Sequence, residues 1–260
     1  MKKFVLYLCL LISACIFFTQ SANAKNIKFA QVTDVLYRGS SAQLDKIISD
    51  INKTSDIDFV VFTGNNIGKP KENNLKNFMN DVKHLNKPYY IVLGNKDISK
   101  THDMDKKNYM KLVRKVNRLH PSETNYVFKK NDVIFIVADG SKELIPSVNG
   151  FYNHDTIAWV DKQLTKYAKN KVVILQHFPL ANKPNNEFYY TYNILEYMQM
   201  LSRHNNVIAV VTGHYNKNDE VMYNGVYHIT TPNASQGYYK IIDIEADNNY
   251  GVYTLLKEIK

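Results

Sequence analysis

IDFVVFTGNN, residues 57–66, is the stretch that decides how this chain folds. Its apolar run is continuous rather than alternating, as in a strand covered on both faces, and it stops at a glycine followed by two asparagines. The same phrase recurs on either side of it. FAQVTDVL (29–36) passes Asp34, PYYIVLGNKD (88–97) ends at Asn95, Lys96 and Asp97, KVVILQHFP (171–179) passes Gln176 and His177, and NVIAVVTGHYN (206–216) ends at His214 and Asn216. Five buried-strand patterns therefore finish in short polar stops: TDVL, TGNN, LGNKD, LQHFP and TGHYN. Open α/β sheets place ligands beyond the carboxyl ends of their strands, so folding is expected to gather the stops into one site.

Between the strands, residues 44–51, 75–84 and 156–169 have helical spacing, the last with Trp159 and Leu164 available for one face. Residues 132–138 (DVIFIVA) form another buried-strand run. Residues 99–122 are polar, with a helix expected over 109–118, and are read as cover for one edge of the cleft. The last quarter changes character. Residues 226–230, 238–244 and 251–257 alternate apolar with polar, as half-exposed antiparallel strands do. Strand-helix alternation followed by consecutive strands, with no repeat and no linker, predicts one domain over residues 25–260.

The first 24 residues read as an export signal: Lys2 and Lys3, an apolar run from Phe4 to Phe18, and Ala22-Asn23-Ala24 as a small-x-small cleavage site. The run falls short of the roughly 20 residues a membrane span needs. Ile12-Ser13-Ala14-Cys15 resembles a bacterial lipobox, so the alternative to a periplasmic or secreted product is a lipoprotein anchored through Cys15. Both cysteines, Cys9 and Cys15, lie in this segment, and a chain cleaved after Ala24 has no disulfide or thiolate chemistry. The formal charge is +9, but only four of 33 basic residues are Arg, and none forms a long run. Scattered Lys reads as a solubilising surface, and no specific nucleic-acid partner is expected. Oligomeric state is not legible.

In order and spacing the five stops resemble the signature blocks of calcineurin-like metallophosphoesterases: Asp-x-His, Gly-Asp-x-x-Asp, Gly-Asn-His-Asp/Glu, a His near Pro, and Gly-His-x-His. TIAWVDKQL (156–164) resembles the family's helix before the His-Pro block, and YHITTPNASQGYYKIIDI (227–244) its closing strands. The resemblance covers about residues 27–257 and implies an α/β fold, a four-layer α/β/β/α sandwich with mixed sheets.

The resemblance also implies a phosphoester hydrolase with two divalent ions about 3.5–4 Å apart. Carried over, the first ion would use Asp34, Leu36 where the family has His, Asn65 where it has the bridging Asp, and Asn216 where it has His. The second would use Asn65, Asn95, Gln176 in place of His, and His214, with His177 as an alternative to Gln176. Lys96 stands at the family's phosphate-contacting, proton-donating His. A hydrocarbon and several amides supply no charge to hold paired cations, and an ammonium with an ordinary pKa near 10.4 is a poor acid at neutral pH.

The expectation is a degenerate member that binds a phosphate-bearing small molecule through Lys96, Asn95 and Asn65, with no tightly bound metal. The alternative is a hydrolase with one Mn, Fe or Zn at Asp34, Asn95, His214 and either Gln176 or His177. A third reading is a scaffold whose cleft is irrelevant. Asn66 is read as a turn residue, His228 as structural, and Tyr37 and Tyr215 mostly as packing.

Overall fold

The computed structural model describes residues 25–102, 104–144, 147–184, 188–246 and 250–260; the segment read as an export signal, with Cys15, lies outside them. The quoted stretch becomes β2 (Phe59–Thr63), all five residues buried. β1 (Ile27–Val32) and β3 (Tyr89–Val92) pair parallel on either side of it. β12 (Tyr238–Ile244) runs antiparallel to β1, and β13 (Val252–Glu258) antiparallel to β12, completing a mixed sheet in the order β13-β12-β1-β2-β3. The second sheet pairs β5 (Val133–Val137), β7 (Lys171–Leu175), β9 (Val207–Thr212) and β11 (Val226–Thr230) in parallel. β4 (Tyr126–Lys130) and β10 (Asp219–Tyr223) close its edges antiparallel. β6 (Gly150–Phe151) and β8 (Thr191–Tyr192) form a separate short pair.

Three apolar layers explain why the strand runs are continuous. Ala30, Val32, Val60 and Phe62 point outward beneath α1 (Ala42–Lys53), α2 (Glu72–Val82) and α3 (Lys106–Val116). On the other side of the same strands, Ile27, Phe29, Phe59 and Val61 meet Phe135, Val137, Val173 and Val211 of the second sheet. That sheet's far face, with Ile134, Ile136, Val172 and Ile174, lies under α4 (His154–Lys166) and α5 (Ile194–Leu201). The order is α/β/β/α, as expected, and side chains that alternate between two covered faces must all be apolar. Ser41, Asp105 and Asn153 begin α1, α3 and α4 by accepting from the amides of Leu44, Asn108 and Thr156.

The last quarter departs from expectation. β12 and β13 are antiparallel, but β11 lies parallel to β9 and is almost wholly buried. It joins the second sheet because the hairpin with β10 covers its free edge. Residues 99–122 pack as α3 against α2 in the outer helical layer, with Tyr109, Met110, Leu112 and Val113 buried.

At the site end the inward positions turn polar. Gln31, wholly buried, donates to Thr63 Oγ1 (2.8 Å) and the Thr212 carbonyl (2.7 Å) and accepts from Thr231 Oγ1 (2.6 Å), tying the two sheets together at their site ends. A second tie is Lys240 of β12. It is fully buried, and its ammonium donates to Glu220 of β10 at 2.6 Å. Burial lowers the Lys240 pKa from its ordinary value. Gln31→Leu leaves several buried polar groups unpartnered and is expected to cost about 2–4 kcal/mol. Urea denaturation checks this, and a loss within experimental error would refute the clamp.

Candidate functional site

The five stops meet at the carboxyl ends of β1, β2, β3, β7 and β9. Asp34, Leu36, Asn65, His214 and Asn216 all have left-handed backbones, with φ between 52° and 68°. Such angles are uncommon outside glycine, and Leu in particular gains nothing from them locally. Close chain approach sets the glycines. A Cβ at Gly94 would sit 2.3 Å from the Asn65 amide nitrogen, and one at Gly213 would sit 1.9 Å from Thr33 Oγ1.

Asp34 is 2 % exposed and its carboxylate is fully engaged. Oδ1 accepts from the Asn65 side-chain amide at 2.9 Å, and Oδ2 accepts from Thr33 Oγ1 at 2.9 Å and the His214 backbone N–H at 3.0 Å. The Asn65 side-chain carbonyl oxygen accepts from the Lys96 backbone N–H at 2.8 Å. Asp34, Asn65, Lys96 and His214 are thus joined by hydrogen bonds through the Asp34 and Asn65 side chains. Asp34→Ala would strand three buried donors, with an expected loss of about 3–5 kcal/mol, because bonds to a carboxylate are the stronger kind. Thermal or chemical denaturation measures it; wild-type stability would mean that the carboxylate does not hold the loops.

Asp97 staples two stops from behind. Its carboxyl accepts from the amides of Gly94 (2.7 Å) and Ile67 (3.0 Å), and burial pushes its pKa up to about 7. Asn66 is not the turn residue expected. Its φ is not left-handed, and its buried amide donates to the Val92 carbonyl (3.0 Å), Asp97 (3.2 Å) and Tyr109 Oη (3.2 Å). The acid ending LGNKD was the signal for Asp97. Nothing local distinguishes Asn66 from a turn asparagine, because its partners lie on β3 and α3.

Gln176 and His177 face different ways. The Gln176 amide donates to the Phe178 carbonyl at 2.7 Å and accepts from Tyr197 Oη of α5 at 3.0 Å, so both its polar ends are taken. His177 Nδ1 meets the Thr63 carbonyl at 2.7 Å, which leaves Nε2 as the unprotonated nitrogen. The His177 and His214 rings lie 5.0 Å apart in an edge contact. Burial pushes the His177 pKa down to about 4 and the His214 pKa down to about 3. Among the described residues, three buried atoms at the site have no hydrogen-bond partner: His177 Nε2, His214 Nε2 and Asn95 Oδ1. Lys96 is exposed and forms no ion pair among the described residues, while Asn216 is exposed. His228 is buried on β11 away from this group, and Tyr37 packs on Phe78.

The donor set does not suit two adjacent divalent ions. Among the described residues no three His, Cys, Asp or Glu side chains group as metal ligands. The carboxylate that could bridge two ions is an amide, and the remaining carboxylate already accepts three hydrogen bonds. What remains is a trio of neutral acceptors beside an ammonium.

A family model for calcineurin-like phosphoesterases matches residues 27–217. Among solved structures, the chain is similar to a dimetal phosphatase from Danio rerio, with TM-score 0.67, 15 % identity, and coverage of 90 % of this chain and 99 % of that one. It is also similar to the Thermus thermophilus protein TT1561, with TM-score 0.64, 15 % identity and coverage of 91 % and 100 %. A third similar structure is GAP50, the anchor in the inner membrane complex of Plasmodium, with TM-score 0.62, 15 % identity and coverage of 90 % and 89 %. No curated protein sequence matches significantly.

Proposed function

The chain belongs to the calcineurin-like phosphoesterase family, and from that premise we propose that it is an exported member that binds a phosphate-bearing small molecule without two-metal hydrolysis. One observation carries this reading. At the family's bridging-carboxylate position stands Asn65, whose amide is bonded to Asp34 on one side and to the Lys96 backbone on the other. Two dications repel, and a neutral amide supplies none of the charge that offsets the repulsion. Lys96 adds a positive charge at the same strand end, which repels cations and attracts anions. The neutral imidazoles fit a ligand that also offers a hydroxyl, since their Nε2 atoms accept rather than donate.

The test combines elemental analysis of protein purified without chelator with turnover of phosphomonoesters and phosphodiesters. Expected are far less than one Mn, Fe or Zn per chain, turnover indistinguishable from a Lys96→Ala variant, and phosphate protection against heat that is lost in Lys96→Glu. Stoichiometric metal with chelator-sensitive turnover would overturn the proposal.

The unpartnered acceptors favour a second reading, in which His177, His214 and Asn95 hold one borderline divalent ion. Such an ion would supply an activated water. Its signature is one metal per chain, lost in both His177→Phe and His214→Phe.

A further inference from the structure

We propose that the exposed face of α3 (Lys106–Val116) and the groove beside it form a binding site for a linear, base-free chain of phosphate groups. The groove encloses about 850 Å³, within the range of ligand sites, and lies outside the strand-end cluster. Six cationic side chains line it: Lys100, Lys106, Lys107, Lys111, Arg114 and Lys115. The three acids on its wall do not balance them. Asp105 caps the helix, Glu143 accepts from the Lys106 amide and pairs with Lys100, and Glu123 faces the basic stripe; beyond the wall, Asp139 pairs with Lys106, and Glu72, paired with Lys76, lies within electrostatic reach of Lys111 and Lys115.

Lys107, Lys111, Arg114 and Lys115 are exposed and form no ion pair among the described residues. They recur every three or four residues, so one helical face repeats positive charge at about the 5.4 Å pitch. Lys107–Lys111 and Lys111–Lys115 are like-charge neighbours one turn apart, an arrangement that destabilises a helix. Lys106 and Lys107 also sit at the positive end of the helix dipole, with no acid in the first turn. The helix thus carries repulsion that a bound polyanion relieves.

The lining also selects among polyanions. Among the described residues no aromatic side chain lines the groove, so they offer no platform for stacking bases, which argues against single-stranded nucleic acid. Tyr109, Met110, Leu112 and Val113 of α3 point into the core and Val116 at its end is exposed by itself, so the helix offers no continuous apolar face to lay into a bilayer. The cations are mostly Lys, which suit phosphate as point charges rather than by bidentate readout.

The experiment titrates the full chain with inorganic polyphosphate, single-stranded DNA and vesicles of anionic lipid, following affinity and melting temperature against salt. Expected is preferential binding of polyphosphate, a rise in melting temperature, and log affinity falling linearly with log salt. Lys111→Glu/Lys115→Glu is expected to weaken polyphosphate binding at least tenfold while the unliganded variant melts no lower than wild type. Lys162→Glu/Lys169→Glu, which removes the same charge at and just beyond α4, is expected to bind like wild type. Equal weakening by both double variants, undiminished binding by the first, or tighter binding of DNA or vesicles would overturn the assignment.

Discussion

Between pH 6.5 and 4 the protein is expected to lose stability steeply, by roughly 4 kcal/mol per pH unit near pH 5. Four imidazoles set this. Burial pushes the pKa values of His120, His177 and His228 down to about 4 and that of His214 down to about 3. Each is lower in the folded chain than the ordinary 6.5 of the unfolded one, so each contribution is whole above about pH 6.5. It is lost as pH falls toward the folded value, because the unfolded chain takes up protons that the native chain refuses. Asp97 works the other way. Its carboxyl, raised to about 7 by burial, keeps a proton that the unfolded chain sheds above about pH 4, offsetting one of the four. The remaining three or so protons dominate the slope. Against a total of about 5–15 kcal/mol, unfolding near pH 4–5 follows. Denaturant titrations at pH 7.5, 6 and 5 with chelator present measure it, and equal stability at all three would refute the account. His228→Phe, which removes a ring with neither nitrogen bonded, is expected to flatten the slope by about 1.4 kcal/mol per pH unit.

Leu36→His, Asn65→Asp, Lys96→His and Asn216→His together are expected to create paired metal binding and chelator-sensitive phosphodiester turnover. Left-handed backbones at residues 34, 36, 65, 214 and 216 already aim these positions, so only side chains need to change. His177 stays as it is. Its Nε2 is unpartnered, whereas Gln176 is bonded to Tyr197 and the Phe178 carbonyl and is left alone. The aspartate at 65 supplies the bridging charge, and the histidine at 96 replaces a cation with a group that titrates near neutrality. A positioned general acid contributes about 10²–10⁴-fold, so variants with and without Lys96→His should differ by that order. A folded quadruple variant without metal, by elemental analysis, would show that the backbone frame is not competent.

The core strands were legible because burial on both faces leaves a continuous apolar signature, and β1 and β7 form within the apolar runs that lead into TDVL and LQHFP. Edge elements carry no such mark. β4 (YVFKK) and β10 (DEVMY) mix lysines or acids with apolar residues, and α5 spans only eight residues, so none was anticipated. The five stops were equally legible as a cluster. The use of each amide was not: Asn65 and Gln176 look alike as ligand substitutes, and only their partners separate a strand-end brace from a contact to α5. Gln31 was invisible for the same reason. A lone polar residue in an apolar run declares neither the opposite sheet nor the threonines waiting on it.

Gln31 and Lys240 fasten one sheet to the other with buried bonds directly beneath and beside the site. The aperture above them therefore cannot widen by splaying the two halves like a clamshell without first breaking the wholly buried bonds of Gln31 and the partly buried pair of Lys240 with Glu220. Visitors of different size must be accommodated by rotamers at the rim and by the connecting segments, over a floor whose dimensions do not change.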